Sequence, residues 1–297
     1  MKKSYFYAGI SILCWSTMSV TAKLLLGELN NLQLLWTSSL FAGLFLFFVA
    51  FFTGKLKIMK NYTMKDYINL ILIGIPGTFF YFMFYYAGTD RMPASQAFII
   101  NYLWPIMSII FACIILKEKM TLRKAIAVII SFLGVIIVTC GELADFDKEV
   151  ILGAGFCILG AVSYGIHTAF NQKMNYDKCI SMMVSYLAAF VLTTLVNMIN
   201  RDLFVPSTIQ TLGFAWNGIF TMAVASTTWM LALETKGSTA KISNLAYITP
   251  FLSLAWTSLV LKEELNIYFV AGLVVIILGI FIQLKEKSNT ETQNITG

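Results

Sequence analysis

The chain repeatedly runs for about twenty residues without a charged side chain, and this pattern limits its fold more than any other feature. Only 12% of its 297 residues are charged and 58% are hydrophobic, whereas soluble domains carry about 25% charged residues. A helix needs about 20 apolar residues to cross a bilayer. Ten such runs can be marked, at approximately 5–26, 32–53, 67–88, 94–116, 122–140, 151–171, 180–199, 210–233, 239–261 and 266–284. The sequence therefore predicts an all-α integral membrane protein with ten transmembrane helices and no soluble domain.

The basic residues predict how these helices are oriented. With the N-terminus in the cytoplasm, sixteen of the 21 Lys and Arg residues fall in cytoplasmic segments and four fall outside. Cytoplasmic segments of membrane proteins carry such an excess of positive charge. We therefore expect both termini to be cytoplasmic. The net charge of +6 then reflects topology and requires no nucleic-acid partner.

The two halves of the chain resemble each other. Residues 86–137 align without gaps on 231–282 at a constant offset of 145. Matched positions include Tyr102 with Tyr247, Pro105 with Pro250, Lys117-Glu118 with Lys262-Glu263 and Gly134 with Gly279. Five helices are an odd number, so the second half would cross the membrane upside down, as in transporters built from inverted repeats. We expect a first repeat at 1–148, a second at 149–284 and a disordered cytoplasmic tail at 285–297.

The fourth predicted helix contains an unusual pentapeptide, Asn101-Tyr102-Leu103-Trp104-Pro105. Pro105 has no N–H group, so the carbonyl of Asn101 loses its helical partner. Lipid cannot satisfy that carbonyl, which places the segment against protein or a water-filled cavity. At about 100° per residue, Tyr102 and Trp104 flank a face centred on Asn101 and Pro105. The pattern predicts a substrate pocket; packing with a structural hydrogen bond is the alternative.

Further candidates lie at comparable depth in other helices. Tyr81 and Tyr85 are four residues apart and share one face of the third helix. An aromatic belt at the membrane boundary explains Tyr86 better than Tyr81. Trp15 is too deep for such a belt, so pocket lining and interhelical packing both stay open. The candidate substrate-binding residues are Trp15, Tyr81, Tyr85, Asn101, Tyr102, Trp104, Trp229, Asn244 and Tyr247, with Pro105 and Pro250 as kinks or hinges.

Few ionisable groups lie inside the apolar runs. His167, the one histidine, could relay protons or form a structural hydrogen bond, and Lys23 could extend to the headgroups or act as a gate. No Asp or Glu lies deep in a run, so ion coupling is not evident. Neither the five cysteines nor any other motif gives metal-ligand, nucleotide-binding or nucleophile spacing. A membrane-embedded enzyme is the least favoured function, and no cofactor or metal is predicted.

Ten helices in two halves, with Pro105 and Pro250 each followed by a Leu-Lys-Glu turn, resemble the EamA type of the drug/metabolite transporter superfamily. Two stretches, Leu13-Cys14-Trp15-Ser16-Thr17-Met18 and the pentapeptide at 101–105, are similar to its YddG-like branch of aromatic amino-acid exporters. The resemblance implies an alternating-access exporter of amino acids or related metabolites in the inner or plasma membrane.

The resemblance also implies which side chains meet the substrate, namely Tyr81, Tyr85, Tyr102, Trp104 and Trp229. One departure is that the branch carries a tryptophan in the sixth helix where this chain has Ser163-Tyr164. The cavity and the substrate could therefore differ, and other metabolites or organic cations are the alternative substrates. The expected partners are a small-molecule substrate and the lipid bilayer, while coupling, net direction and oligomeric state stay open.

Overall fold

The computed structural model describes residues 2–140, 147–174, 176–233 and 245–295. Within those ranges every regular element is helical. The α-helices are α1 (Lys2–Ser16), α2 (Met18–Leu26), α3 (Asn31–Phe52), α4 (Met64–Ile75), α5 (Tyr81–Arg91), α6 (Ala94–Asn101), α7 (Trp104–Ile115), α8 (Leu122–Cys140), α9 (Lys148–Lys173), α10 (Lys178–Asn200), α11 (Thr208–Ala215), α12 (Ala225–Leu233), α13 (Thr249–Val260) and α14 (Ile267–Ile295).

Among the described residues, seven helical spans are long and apolar enough to cross a membrane. They are Lys3–Leu26, Asn31–Phe52, Met64–Arg91, Ala94–Ile115, Leu122–Thr139, Lys148–Lys173 and Lys178–Asn200, with shorter apolar helices at Ala246–Leu261 and Ile267–Ile282. The chain is therefore a multi-pass helical membrane protein. Ten spans stay a prediction, because the second half contains shorter helices and residues 234–244 lie outside the described ranges.

Several spans are assembled from two helices with an irregular turn between them. The helix of the pentapeptide breaks at Tyr102 and Leu103, and α7 restarts with Pro105 in its first turn. At the equivalent place in the second half, a 3₁₀ turn at Ala246–Ile248 precedes α13, which has Pro250 in its first turn. Proline tolerates the first turn of a helix because the N–H it lacks has no helical partner there. Both breaks thus follow from the two prolines.

Helices α8 and α14 cross at a close contact, which we call the seam. Ser131 Oγ donates to the carbonyl of Ile276 at 3.3 Å. On either side of this bond, a Cβ on Gly134 would lie 2.8 Å from the Gly272 carbonyl oxygen, and one on Gly279 would lie 2.8 Å from that of Ala127. Small residues let membrane helices approach this closely. As residue numbers rise on α8 they fall on α14, so the two helices are antiparallel.

The turns that follow α7 and α13 have the same backbone. Lys117 and Lys262 adopt left-handed conformations, with φ of 59° and 58°. In each turn two N–H groups bond one carbonyl, that of Ala112 in the first half and that of Thr257 in the second. A left-handed residue after the last helical turn satisfies carbonyls that the helix leaves free. The matched Leu-Lys-Glu sequences therefore form matched helix ends.

The last helix extends further than the sequence suggests. Backbone of α14 remains helical to Ile295, through most of the segment 285–297 that we expect to be disordered. No proline or glycine interrupts residues 283–296, so local sequence offers no strong stop signal. The backbone of α14 is thus helical as far as Ile295, and the disorder and cytoplasmic location of the tail stay predictions.

Candidate functional site

A cavity of about 530 Å³, including the space at its mouth, lies among the helices of both halves. Most of its wall is aromatic, and none of the described side chains that line it is charged. The lining residues are Trp15, Met18, Tyr81, Phe82, Phe98, Asn101, Tyr102, Trp104, Tyr164, Tyr186, Thr221 and Ser226. Of the nine candidates from the sequence, the structure brings five together here: Trp15, Tyr81, Asn101, Tyr102 and Trp104.

The break between α6 and α7 places three pentapeptide side chains in the cavity wall. Asn101 ends α6 and donates from Nδ2 to the hydroxyl of Tyr81 at 2.9 Å. Its Oδ1 is buried and has no hydrogen-bond partner among the described residues. A buried acceptor without a donor costs about 1–3 kcal/mol. Asn101 therefore holds, beside the cavity, an acceptor that no described donor satisfies.

Tyr102 links the two helix breaks to each other. Its ring lies 6.4 Å from that of Trp104, centroid to centroid, so both aromatic groups face the same space. Its hydroxyl donates to the carbonyl of Ala246, in the 3₁₀ turn of the second half. Pro250 cannot donate to that carbonyl, since it lacks an N–H group. The bond therefore uses an acceptor that the second proline leaves open.

Tyr164 belongs to the cavity wall, at the position where the sequence departs from the exporter branch. Its ring centroid lies 4.8 Å from that of Tyr81 and 5.2 Å from that of Trp104. These distances are typical of packed aromatic pairs. Tyr164, from α9, thus closes an aromatic cluster whose other members come from α5 and α7.

The remaining candidates lie away from the cavity lining or outside the described residues. Tyr85 is fully buried among helices, and Trp229 packs behind Trp15 at 5.4 Å between ring centroids. Tyr247 packs against Phe281 of α14 at 5.1 Å. Asn244 lies outside the described residues. The sequence predicts the depth of a side chain along its helix, but depth does not determine which face of a helix meets the cavity.

His167 and Lys23 also lie outside the lining and bond to backbone or amide groups. His167 Nδ1 lies 2.8 Å from the Ile73 carbonyl oxygen, and Nε2 lies 2.9 Å from Nδ2 of Asn171. Both ring nitrogens are thus held by neighbours, which is what a structural hydrogen bond requires. Lys23 Nζ donates to the carbonyls of Thr89 at 2.7 Å and Met92 at 2.9 Å, where α5 ends. A cation at a helix C-terminus is favourable.

Glu263 binds the backbone at the other end of the connection between α5 and α6. Its carboxylate accepts from the backbone N–H groups of Ala94 at 2.7 Å and Ser95 at 3.0 Å, at the start of α6. A negative charge at a helix N-terminus is favourable and satisfies free donors. The α5–α6 connection is therefore fixed by Lys23 from the first half and Glu263 from the second.

Seven of the lining residues were not predicted from the sequence: Met18, Phe82, Phe98, Tyr164, Tyr186, Thr221 and Ser226. Tyr164 was singled out only as a departure from a family pattern. Tyr186 lies near the middle of a predicted helix, so the depth argument used for Tyr81 applies to it equally. The others are common apolar or hydroxyl residues, and nothing in their local sequence distinguishes them from packing.

A family model supplies the decisive comparison. The model of the EamA-like transporter family matches the chain twice, over residues 2–140 and 151–284. The chain belongs to the EamA-like transporter family. Membership of EamA, within the drug/metabolite transporter superfamily, confirms the broader resemblance drawn from the sequence and indicates a transporter rather than an enzyme.

Relatives of this EamA-like protein extend over its whole length. An uncharacterized transporter of Clostridium kluyveri is 26% identical over 98% of this chain and 99% of its own. One of Archaeoglobus fulgidus is 26% identical, covering 77% and 81%. An S-adenosylmethionine uptake transporter of Rickettsia prowazekii is 20% identical over 63% and 62%. A solved structure with a TM-score of 0.68 and 18% identity covers 94% of this chain and 96% of that one, which shows a shared fold.

Proposed function

We propose that this EamA-like protein carries amino acids, aromatic or other neutral ones, and related metabolites across the cell membrane by alternating access, as an exporter or facilitator. The observation that carries the proposal is the uncharged, aromatic-walled cavity with a free buried acceptor at Asn101. Aromatic faces stack against flat or apolar side chains. An uncharged wall suits a zwitterionic solute, in which one positive and one negative charge cancel.

Polar groups in the wall fit both ends of an amino acid. Asn101 Oδ1 can accept from an ammonium group, since it has no other donor among the described residues. The indole N–H groups of Trp15 and Trp104 and the hydroxyl of Tyr164 make no hydrogen bond within the described part of the chain, so they can donate to a carboxylate. Such donors and acceptors fix a ligand's orientation in an otherwise apolar pocket.

The transport cycle that we propose uses two inverted repeats, 1–148 and 149–284, with both termini in the cytoplasm. Two family-model matches of nearly equal length support the duplication. Inversion is supported by the seam, where Ser131 meets Ile276, its own counterpart at offset 145, on an antiparallel helix. The same offset relates two further contacts. Adding 145 to Gly134 gives Gly279 and subtracting 145 from Gly272 gives Ala127, so the contact of Gly134 with Gly272 is the counterpart of that of Gly279 with Ala127. A two-fold axis in the membrane plane would produce this pattern.

Organic cations are the second candidate substrates. Aromatic faces attract cations, and two Rickettsia relatives are named S-adenosylmethionine uptake transporters. S-Adenosylmethionine combines an amino-acid end with a sulfonium cation, so it belongs in any substrate panel. The absence of a carboxylate from the described lining weighs against cations that lack an amino-acid end.

The proposal is tested by flux into proteoliposomes that contain the purified protein. The panel contains aromatic and aliphatic amino acids, S-adenosylmethionine and tetraethylammonium, each with and without a pH gradient. We expect saturable flux of at least one amino acid that protein-free liposomes lack. Saturable flux of tetraethylammonium alone would favour the second candidate, and no saturable amino-acid flux would overturn the first.

A further inference from the structure

The two helix breaks differ in one hydrogen bond although their sequences match. Tyr102 donates to the carbonyl of Ala246 across the two halves. Its counterpart at offset 145, Tyr247, makes no hydrogen bond with the described residues, and its ring instead packs on Phe281. The counterpart of Ala246 is Asn101. The symmetric equivalent of the observed bond would therefore join Tyr247 to the carbonyl of Asn101.

Both acceptors arise from the same local chemistry. Pro105 lies four residues after Asn101, and Pro250 lies four residues after Ala246. Neither proline can donate the helical hydrogen bond to the carbonyl four residues before it. Ala246 takes the N–H of Thr249 in a 3₁₀ turn and uses its other lone pair for Tyr102. Each half thus carries a proline that frees a carbonyl and a tyrosine directly after that carbonyl.

The difference between the breaks does not come from the helices that follow them. The turns after α7 and α13 share the same left-handed residue and the same pair of backbone hydrogen bonds. At the seam between α8 and α14, the close approaches of Gly134 to Gly272 and of Gly279 to Ala127 are likewise exchanged for each other when the halves are exchanged. With matched turns and matched glycine contacts, Tyr102 is bonded across the halves, whereas Tyr247 makes no such bond with the described residues.

We propose that these tyrosines form a reciprocal switch that accompanies alternating access. In the state described by the structure, Tyr102 holds the Ala246 carbonyl and Tyr247 is released. In the opposite-facing state Tyr247 holds the Asn101 carbonyl and Tyr102 is released. This inference rests on the inverted repeats of the proposed function, because the exchange of halves is what relates the two bonds.

Glu263 adds a second contact of this kind, since it joins the second half to the start of α6. Glu118, its counterpart, bonds Lys124 of its own half at 3.0 Å. The structure therefore contains the Glu263 contacts with the start of α6 and the Tyr102 bond to Ala246 in the same state. The switch would break both kinds of contact together.

The test measures which face of the membrane the cavity opens to, using Tyr102→Phe and Tyr247→Phe. A reporter cysteine, Ser226→Cys in the cavity wall, is placed in a variant whose five native cysteines are alanine. Its reaction with a membrane-impermeant maleimide is followed from each side of oriented vesicles. Tyr268→Phe is the matched control, since this α14 side chain is 43% exposed.

Because each variant removes a bond from a different state, the ratio of labelling rates from the two sides should shift in opposite directions. We expect about fivefold for each, the weight of one buried neutral hydrogen bond. The double variant should return to within about twofold of the parent. Shifts in the same direction, or shifts no larger than that of Tyr268→Phe, would overturn the switch.

A second pair of variants acts on the acceptors instead of the donors. Pro250→Ala restores an N–H that can occupy the Ala246 carbonyl, so it should shift the ratio in the same direction as Tyr102→Phe. Pro105→Ala should act like Tyr247→Phe. If the proline variants shifted the labelling ratio in the directions opposite to these, the proposal would be refuted, even if a tyrosine variant proved unstable.

Labelling requires no knowledge of the substrate, so the two proposals fail separately. Opposed shifts in a protein that transports no amino acid would retain the switch and reject the proposed substrate. Amino-acid flux with no opposed shifts would reject the switch alone.

Discussion

The seam between α8 and α14 and the pair of helix breaks around the cavity use equivalent residues in opposite ways. At the seam, the close approach of Gly134 to Gly272 on one side of Ser131 and Ile276 has its counterpart in that of Gly279 to Ala127 on the other. At the breaks, Tyr102 is bonded to the other half, whereas Tyr247 makes no hydrogen bond within the part of the chain that the structure describes. The first region is symmetric and the second is asymmetric within one molecule.

This difference separates the parts of the protein that can stay fixed from those that must move. A contact that is unchanged when the halves exchange places is the same in both end states of an inverted-repeat transporter, so it can serve as a pivot. A contact made by only one of two matched residues has to break when the halves exchange conformations. The cavity lies beside the second kind of contact, which is where motion is needed to expose it to each face.

Leucine in place of either seam glycine should have the largest effect, because it forces the two backbones apart. We expect Gly134→Leu and Gly279→Leu each to destabilise the protein by about 3 kcal/mol, measured as thermal unfolding of the purified protein in detergent. Gly155→Leu is the control, since a Cβ there meets nothing within 4 Å. Equal losses at the two glycines would support the symmetry of the seam, and a large loss at only one would contradict it.

Trp104→Ala should have the next largest effect, on transport rather than folding. Trp104 lines the cavity and packs at 5.2 Å against Tyr164, whereas its counterpart Thr249 does not line it. Loss of the indole removes stacking area, and we expect transport to fall by at least about tenfold, the size of a 1.4 kcal/mol effect. Thr249→Ala should retain transport within about twofold. The measurement is the initial flux per amount of folded protein. Similar losses of flux in Trp104→Ala and Thr249→Ala would show that the two helix breaks contribute equally to transport.

Sequence alone was sufficient for the fold class, a helical multi-pass membrane protein, because the bilayer imposes it. Helix lengths, the missing carboxylates and the matched prolines are all consequences of placing backbone in lipid. The membrane location and the transporter family follow from these features and are confirmed. The number of spans, their inversion and the amino-acid substrate stay predictions.

Side-chain contacts inside the bundle could not be predicted in the same way. Asn101, Tyr102 and Trp104 were identifiable because one proline organises them, but helical angles assumed a continuous helix where the structure has a break. Glu263 was identified only as part of a turn, since its partners Ala94 and Ser95 are distant in sequence. The direction in which Tyr247 points depends on which state the protein occupies, and sequence carries no information about state.

Glu263→Gln should have a smaller effect, and comparison with Glu118→Gln sharpens the contrast between the halves. Glu263 places a charge on free N–H groups of α6, so we expect a loss of about 1 kcal/mol in thermal unfolding. Glu118 forms a partly exposed pair with Lys124, and such pairs contribute at most about 1 kcal/mol and often much less. A greater loss for Glu118→Gln than for Glu263→Gln would contradict the assignment of Glu263 as the contact between halves.

Tyr164→Phe should have the smallest effect, because it keeps the ring that packs against Tyr81 and Trp104. Only the hydroxyl is lost, and that group makes no hydrogen bond with the described residues. If it donates to a neutral acceptor of the bound substrate, while the indole N–H groups of Trp15 and Trp104 take the carboxylate, KM should rise about threefold with little change in kcat, as expected for one weak neutral hydrogen bond. Tyr164→Ala, which also removes the ring, should raise KM further and admit bulkier solutes. If both variants kept the parent's KM and selectivity, α9 would contribute shape to the bundle but no recognition, and the aromatic groups that select the substrate would come from the other lining helices, with Tyr186 of α10 as the aromatic lining residue of the second half.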